Sequence, residues 1–155
     1  MKYRQLTKEQ FESLHVEFAK FLATQSIDAK EWKQFKKDKP EVAEEEMNIF
    51  SDIVWEDVLT KTKYIEHYSK RTINLFKCND KDMKRIVVKT SKNIDLLNKE
   101  DLQWLLNNTS DSSIELLQGT KVYNKERNAE VFSLIEQGGV ISKGEIFEFF
   151  NDQIN

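Results

Sequence analysis

Glu12 and His15 have the Glu-x-x-His spacing with which helical bundles bind pairs of metal ions. Such a site requires a second Glu-x-x-His pair and further helical carboxylates, and the sequence contains no second pair. On a helical projection the imidazole of His15 falls among apolar residues of the same helix. We therefore expect His15 to be a buried or half-buried core residue, and we predict no bound metal and no cofactor.

His67 and Cys78 are the other side chains with reactive chemistry. His67 follows Glu66 in a segment typical of a β-strand, where neighbouring side chains point to opposite faces and cannot act together. We interpret His67 as a partly exposed strand residue and Cys78 as a structural thiol. A general base formed by His15 or His67 with a distant carboxylate stays open as an alternative.

The sequence contains none of the motifs that mark the common enzyme classes. It lacks a Walker loop, a dinucleotide-binding glycine fingerprint, a G-x-S-x-G elbow, a zinc-finger spacing and an H-E-x-x-H pair. We therefore assign no catalytic residue and lean towards a protein that is not an enzyme. An enzyme with an unfamiliar site stays open.

Basic residues are concentrated between residues 60 and 92. This segment carries ten basic and three acidic residues, whereas the whole chain has a net charge of −3. Basic side chains interleaved with aromatic ones on a sheet are typical of surfaces that bind RNA or single-stranded nucleic acid. The simpler interpretation is a solvated strand face whose lysines protect a sheet edge, and the mildly acidic chain favours it. The candidate phosphate contacts are Lys70, Arg71, Lys84, Arg85 and Lys89.

Three phenylalanines lie close together near the end of the chain, at Phe147, Phe149 and Phe150. On a helix they cannot all face one narrow core stripe. We therefore expect one of them to help form a surface that contacts a partner or a second copy, and all three are candidate partner-binding residues.

The first sixty residues have the pattern of three helices. Thr7 and Gln10 have capping-box spacing, which predicts a helix from Thr7 to about Thr24. Asp28 is the expected N-cap of a short second helix. Pro40 suits the first turn of a third helix of about twenty residues, because proline is favoured there.

Strand signals follow at residues 64–68, 72–78 and 83–89, and a fourth strand is expected around residues 114–123. Gly119 marks a weak point or a bulge in that fourth strand. Helical patterns return at residues 98–106 and 125–137, and Ser142 with Glu145 predicts a capping box before a final helix. The sequence thus predicts one α+β domain over residues 1–155: a three-helix segment, an antiparallel sheet of about four strands, and C-terminal helices.

Several segments resemble a family of small bacterial cytoplasmic proteins that share a domain of unknown function. The segments are MKYRQLT at 1–7, FLATQSI at 21–27, KPEVAEEE at 39–46, FSDIVWE at 50–56 and QGGVISKGE at 137–145. Together they span most of the chain, so the resemblance is to a whole protein rather than to one motif. It implies a bacterial cytoplasmic protein and provides no reaction, cofactor or catalytic residue.

The sequence favours a non-catalytic cytoplasmic protein whose partner is another protein or a second copy of itself. Nucleic-acid binding through residues 60–92 is the first alternative, and an enzyme with a histidine general base is the second. We expect no membrane contact, because no window approaches the roughly 18 apolar residues that a membrane span needs. The start of the chain lacks an apolar signal segment, and a single cysteine suits a reducing compartment.

Overall fold

In the computed structural model, which describes residues 1–155, the first part of the chain forms four helices. Two of them begin with a capping box. The Thr7 hydroxyl accepts a hydrogen bond from the N–H of Gln10, and the Asp28 carboxylate accepts one from the N–H of Glu31. Both predicted caps are confirmed. The predicted first helix is broken in two, because Leu14 leaves helical geometry. The four helices are α1 (Lys8–Ser13), α2 (His15–Thr24), α3 (Ala29–Asp38) and α4 (Pro40–Lys61).

Contacts along the chain divide it into two compact units, residues 1–60 and residues 61–155. A single domain over residues 1–155 stays a prediction. The helical unit is built around aromatic rings, with the ring centroids of Phe18 and Phe50 5.0 Å apart and those of Phe18 and Trp32 5.2 Å apart. The buried Ser51 hydroxyl accepts from the Leu6 N–H, which fixes the N-terminal segment on α4.

The second unit contains a five-stranded antiparallel sheet in the order β4-β3-β2-β1-β5. Its strands are β1 (Tyr64–Tyr68), β2 (Thr72–Cys78), β3 (Asp82–Thr90), β4 (Ile114–Val122) and β5 (Val140–Ser142). Its helices are α5 (Lys99–Asn107), α6 (Arg127–Glu136) and α7 (Glu145–Ile154). The α+β class and the first four strands are confirmed, and β5 is an additional edge strand. None of the seven helices combines the length and apolar character that crossing a bilayer requires.

A bulge at Gly119 and a cap at Ser142 are both absent. β4 stays in register with β3 through Arg85↔Gly119, and the other interpretation of Gly119, a weak point in the strand, stays a prediction. The N-cap of α7 is Gly144 rather than Ser142, so the predicted capping box is wrong. Gly144 has a φ of +87°, and no side chain caps the helix. The Ser142 hydroxyl instead accepts from the Gly144 N–H at 3.1 Å and holds the turn before α7.

One face of the sheet is covered over β2 and β3, and we call it the inner face; on β4 this face stays exposed at Gln118, Thr120 and Val122. Helices α5 and α7 pack on it, and their side chains form a dry core with alternate residues of β2 and β3. The members of this core are Ile73, Leu75, Ile86, Val88, Leu96, Leu105, Phe147 and Phe150. Strand alternation sends the intervening residues to the opposite, outer face.

Candidate functional site

The outer face of the sheet is only partly covered, by helix α6. At the end of α6, backbone lies against β1: a Cβ atom on Gly139 would come within 2.6 Å of Ile65. Away from that contact, α6 and the outer face of β2, β3 and β4 enclose an open groove of about 750 Å³. We call this feature the outer groove. Its size is in the range of small-ligand and peptide sites in proteins.

The floor of the outer groove contains a cluster of apolar side chains. It is formed by Phe76 of β2, Met83 and Val87 of β3, and Leu117 of β4, and Leu134 of α6 closes one side. Leu117 is 41 % exposed although it is a large apolar residue. An exposed apolar surface with a polar rim is typical of an interaction site.

Arg85 places a positive charge in this floor. Its guanidinium donates to Asn74 Oδ1 from Nε at 3.2 Å and from Nη2 at 2.5 Å, and it lies 5.6 Å from the centre of the Phe76 ring. These two neighbours hold the guanidinium in one position while supplying no negative charge. Arg85 is therefore oriented and still able to receive a carboxylate or phosphate through bidentate hydrogen bonds.

The rim of the outer groove is also positively charged. The Lys121 ammonium lies 2.6 Å from Glu130 Oε1, and this hydrogen bond lowers the pKa of the Glu130 carboxyl. The backbone N–H of Lys125 donates to the same carboxylate, but the Lys125 ammonium has no acidic partner. The groove thus contains three cations, of Arg85, Lys121 and Lys125, against one anion.

The five predicted phosphate contacts do not share one face. Lys84 lies on the inner face and donates to Asn151 Oδ1 at 2.5 Å. Lys70 and Arg71 lie in the turn between β1 and β2, where Arg71 donates to Asn93. Only Arg85 and Lys89 lie together on the outer face, because they are four residues apart on β3. Because successive side chains of a strand point to opposite faces, the neighbouring positions of Lys84 and Arg85 on β3 already indicated that they could not share one face.

The three phenylalanines of α7 are unequal. Phe147 and Phe150 are 1 % and 0 % exposed and belong to the inner core, which removes them from the candidate partner contacts because a buried ring cannot touch a partner. Phe149 is half-buried and packs edge-on against Phe150, with centroids 5.1 Å apart. A partner contact by Phe149 stays a prediction.

The two histidines lie apart, and each has an ordinary environment. His15 is exposed, and its Nδ1 lies 2.9 Å from the backbone oxygen of Glu12, so the expected burial is wrong. The break at Leu14 separates its helix from α1. His67 is half-buried next to Gly138, and its ring nitrogens make no hydrogen bond. Neither imidazole has the carboxylate or hydroxyl partner that supports a general base.

Cys78 is buried at the end of β2, and burial raises the pKa of its thiol to about 11. A thiol with so high a pKa is a poor nucleophile at neutral pH, in agreement with the structural interpretation. No three His, Cys, Asp or Glu side chains lie close enough together to form a metal-binding group.

A polar cluster on the inner side joins α7 to β1 and β2, and its residues gave no signal in the sequence. The Tyr64 hydroxyl donates to Glu148 Oε2 at 2.5 Å, and the Lys77 ammonium lies 3.1 Å from the same oxygen. The hydrogen bond from Tyr64, followed by that from Lys77, lowers the pKa of Glu148. All three groups satisfy one another, so the cluster fixes the final helix.

The chain belongs to DUF6495, a family of unknown function, which it matches over residues 1–155. The resemblance to a family that shares a domain of unknown function is therefore confirmed. No curated protein and no solved structure matches the chain.

Proposed function

We propose that this member of the family is a non-catalytic cytoplasmic protein that binds an extended segment of another protein in the outer groove. The observation that carries the proposal is Arg85, an exposed guanidinium held by Asn74 and Phe76 within an apolar floor. The cytoplasm is the proposed compartment, because an unpaired thiol such as Cys78 stays reduced there.

The composition of the groove favours a segment that carries a carboxylate beside apolar side chains. The floor crosses three strands, which at about 4.8 Å between neighbouring strands extends roughly 10 Å. That distance accommodates three to four extended residues, at about 3.3 Å per residue. The apolar side chains would cover Val87 and Leu117, while Arg85 receives the carboxylate. Arginine and aromatic residues are enriched at protein interfaces for these reasons.

A photo-crosslinking experiment tests the proposal. A photoreactive amino acid replaces Ser133, which is exposed on the α6 side of the groove, and in a control it replaces Gln103, which is exposed on α5. We expect a reproducible protein adduct from the Ser133 position and none from Gln103. Equal adducts from both positions, or none from Ser133, would contradict the proposal.

The role of Arg85 is then measured with the purified cross-linked partner. Removing a hydrogen-bonded charge typically costs about 1.5–3 kcal/mol, so Arg85→Ala should raise the dissociation constant roughly ten- to hundredfold. Lys70→Ala, which removes a basic residue outside the groove, is the matched control and should leave the dissociation constant unchanged.

Single-stranded nucleic acid is a second candidate ligand of the same face. Arg85, Lys89 and the Phe76 ring lie together on the outer face, and bases stack on aromatic rings while basic side chains contact phosphates. Against it, Lys84 is engaged with Asn151 on the other face, which reduces the predicted basic surface.

An oligonucleotide titration separates the two candidates. If nucleic acid is the ligand, fluorescence anisotropy with a single-stranded RNA should show affinity that falls steeply with salt. The double variant Arg85→Ala/Lys89→Ala should reduce that slope, whereas Lys70→Ala/Arg71→Ala should not. Absence of binding at low salt would remove this candidate.

A further inference from the structure

Strand β4 leaves one side of its backbone without a partner strand. It is the last strand of the sheet and pairs with β3 from Thr90↔Ile114 to Asp82↔Val122 without a bulge. Its side chains are mostly exposed, and Val122 is 74 % exposed. A long, uninterrupted edge of this kind is a template for pairing with another chain unless like charges, a proline, a bulge or a covering element protect it. The two charged side chains of β4, Glu115 and Lys121, have opposite signs and therefore do not repel a second copy.

Gly119 in the middle of β4 lines the outer groove, but neither its backbone conformation nor close packing within one copy requires a glycine there. Its φ is not positive, and a Cβ atom placed on it would meet nothing within 4 Å. Glycine weakens a strand interior, and it often marks a site where another chain approaches closely. Gly119 therefore leaves open space on the outer face at the centre of this edge, which a side chain of a neighbouring strand could fill.

We propose that β4 pairs antiparallel with β4 of a second copy, about a twofold axis at Gln118. In this register all nine residues of the strand are paired. Ile114 of one copy faces Val122 of the other, Glu115 faces Lys121, Leu116 faces Thr120, and Leu117 faces Gly119. Each of these pairs occurs twice, because the interface is isologous.

Charge complementarity selects this register. Glu115 and Lys121 both lie on the outer face, so the pairing places opposite charges directly across from each other, twice per interface. Lys121 also pairs with Glu130 of its own copy, so in the dimer its ammonium would lie between two carboxylates. Within each copy Glu115 also lies opposite Lys89 of β3, so positive and negative charges alternate across the joined sheet. A shift of two residues in either direction pairs only seven residues and separates Glu115 from Lys121.

Shape complementarity agrees with the charges. Leu117, which is exposed in one copy, lies beside Gly119 of the second copy, where the missing side chain leaves room for it. Val122 gains an apolar neighbour in Ile114. The twofold axis is perpendicular to the sheet, so both outer grooves open on the same face of a ten-stranded sheet. The interface uses the backbone edge of β4, but Leu117 and Lys121 also line the outer groove, so the dimer and the groove share these two side chains.

A charge-swap experiment tests this interface. Sedimentation equilibrium should show a dimer for the unchanged protein. Glu115→Lys places two lysines opposite each other and Lys121→Glu places two glutamates there, and two like-charge pairs at up to about 1 kcal/mol each should weaken the dimer roughly tenfold or more. The double variant E115K/K121E restores opposite charges and should restore the dimer.

Mixing the two single variants gives the sharpest readout. E115K carries two lysines and K121E two glutamates at the paired positions, so a mixture should form a heterodimer tighter than either homodimer. Circular dichroism confirms that each variant is folded. The proposed interface would be overturned if the unchanged protein were monomeric. It would also be overturned if these substitutions left the dissociation constant of the dimer unchanged.

Discussion

Val87 and Val88 are neighbours on β3, yet they lie in two different environments. Val88 is fully buried on the inner face beneath α5 and α7, whereas Val87 is half-buried on the floor of the outer groove. The inner face is a dry core, and the outer face has cations and exposed apolar side chains that no helix covers. The outer face also has buried residues beneath α6, such as Ile65, but at the groove floor stability should depend more on the inner face, and recognition on the outer face.

The largest expected effect is the loss of a ring from the inner face. Phe150→Ala removes a fully buried side chain and leaves a cavity, which should lower the free energy of unfolding by about 3–5 kcal/mol. Urea denaturation followed by circular dichroism measures it. Phe149→Ala is the matched control, since the neighbouring ring is only half-buried and should cost clearly less. Equal losses of unfolding free energy from the two variants would contradict this comparison, because Phe149 would then contribute as much to the core as the fully buried Phe150.

Gly144 and Gly119 compare a crowded backbone position with an open one. Gly144 has a φ of +87°, and a Cβ atom there would lie 2.4 Å from the Tyr64 ring, so Gly144→Ala should cost about 2–3 kcal/mol. Gly119→Ala on β4 meets nothing within 4 Å in its own copy and, at protein concentrations too low for pairing of two copies, should change stability by less than about 0.5 kcal/mol. Thermal unfolding of both variants checks the difference, and a costly Gly119→Ala would contradict it.

The neighbouring valines give the most direct comparison of the faces. Val88→Ala removes two fully buried methyl groups and should cost about 2 kcal/mol. Val87→Ala removes the same atoms from the groove floor and should cost less than about 1 kcal/mol. In the partner-binding assay the order should reverse, with Val87→Ala weakening binding and Val88→Ala leaving the affinity of the folded protein unchanged.

The sequence was informative wherever a feature depends on neighbours along the chain. The caps at Thr7 and Asp28, the proline that begins α4, and the first four strands all follow from local side-chain chemistry. Strand β5 was missed because three residues carry no pattern of their own, and it forms only through pairing with β1. The cap at Ser142 failed because Gly144 adopts a left-handed conformation that a spacing rule does not include.

The candidate site was harder to predict, because it is assembled from separate parts of the chain. Alternation along β3 places Lys84 and Arg85 on opposite faces, which the sequence already implied once the strand was identified. The groove itself needs β2, β3, β4 and α6 to meet, and no spacing encodes that meeting. The burial of Phe147 and Phe150 likewise depends on where α7 packs.

The smallest expected effect is electrostatic and belongs to the inner side. The hydrogen bond from Tyr64, aided by Lys77, lowers the pKa of Glu148 in the folded protein. Its stabilisation is therefore complete above the unfolded value of about 4.3 and is lost as the pH falls through the lower folded value. Glu148 is 40 % exposed, so solvent screening keeps the effect below about 1 kcal/mol. Glu148→Gln should lower the free energy of unfolding at pH 7 and flatten its decline in acid. Glu145→Gln, in the same helix but without such partners, should leave the acid decline unchanged, and a matching loss from both variants would show that helix charge alone is responsible.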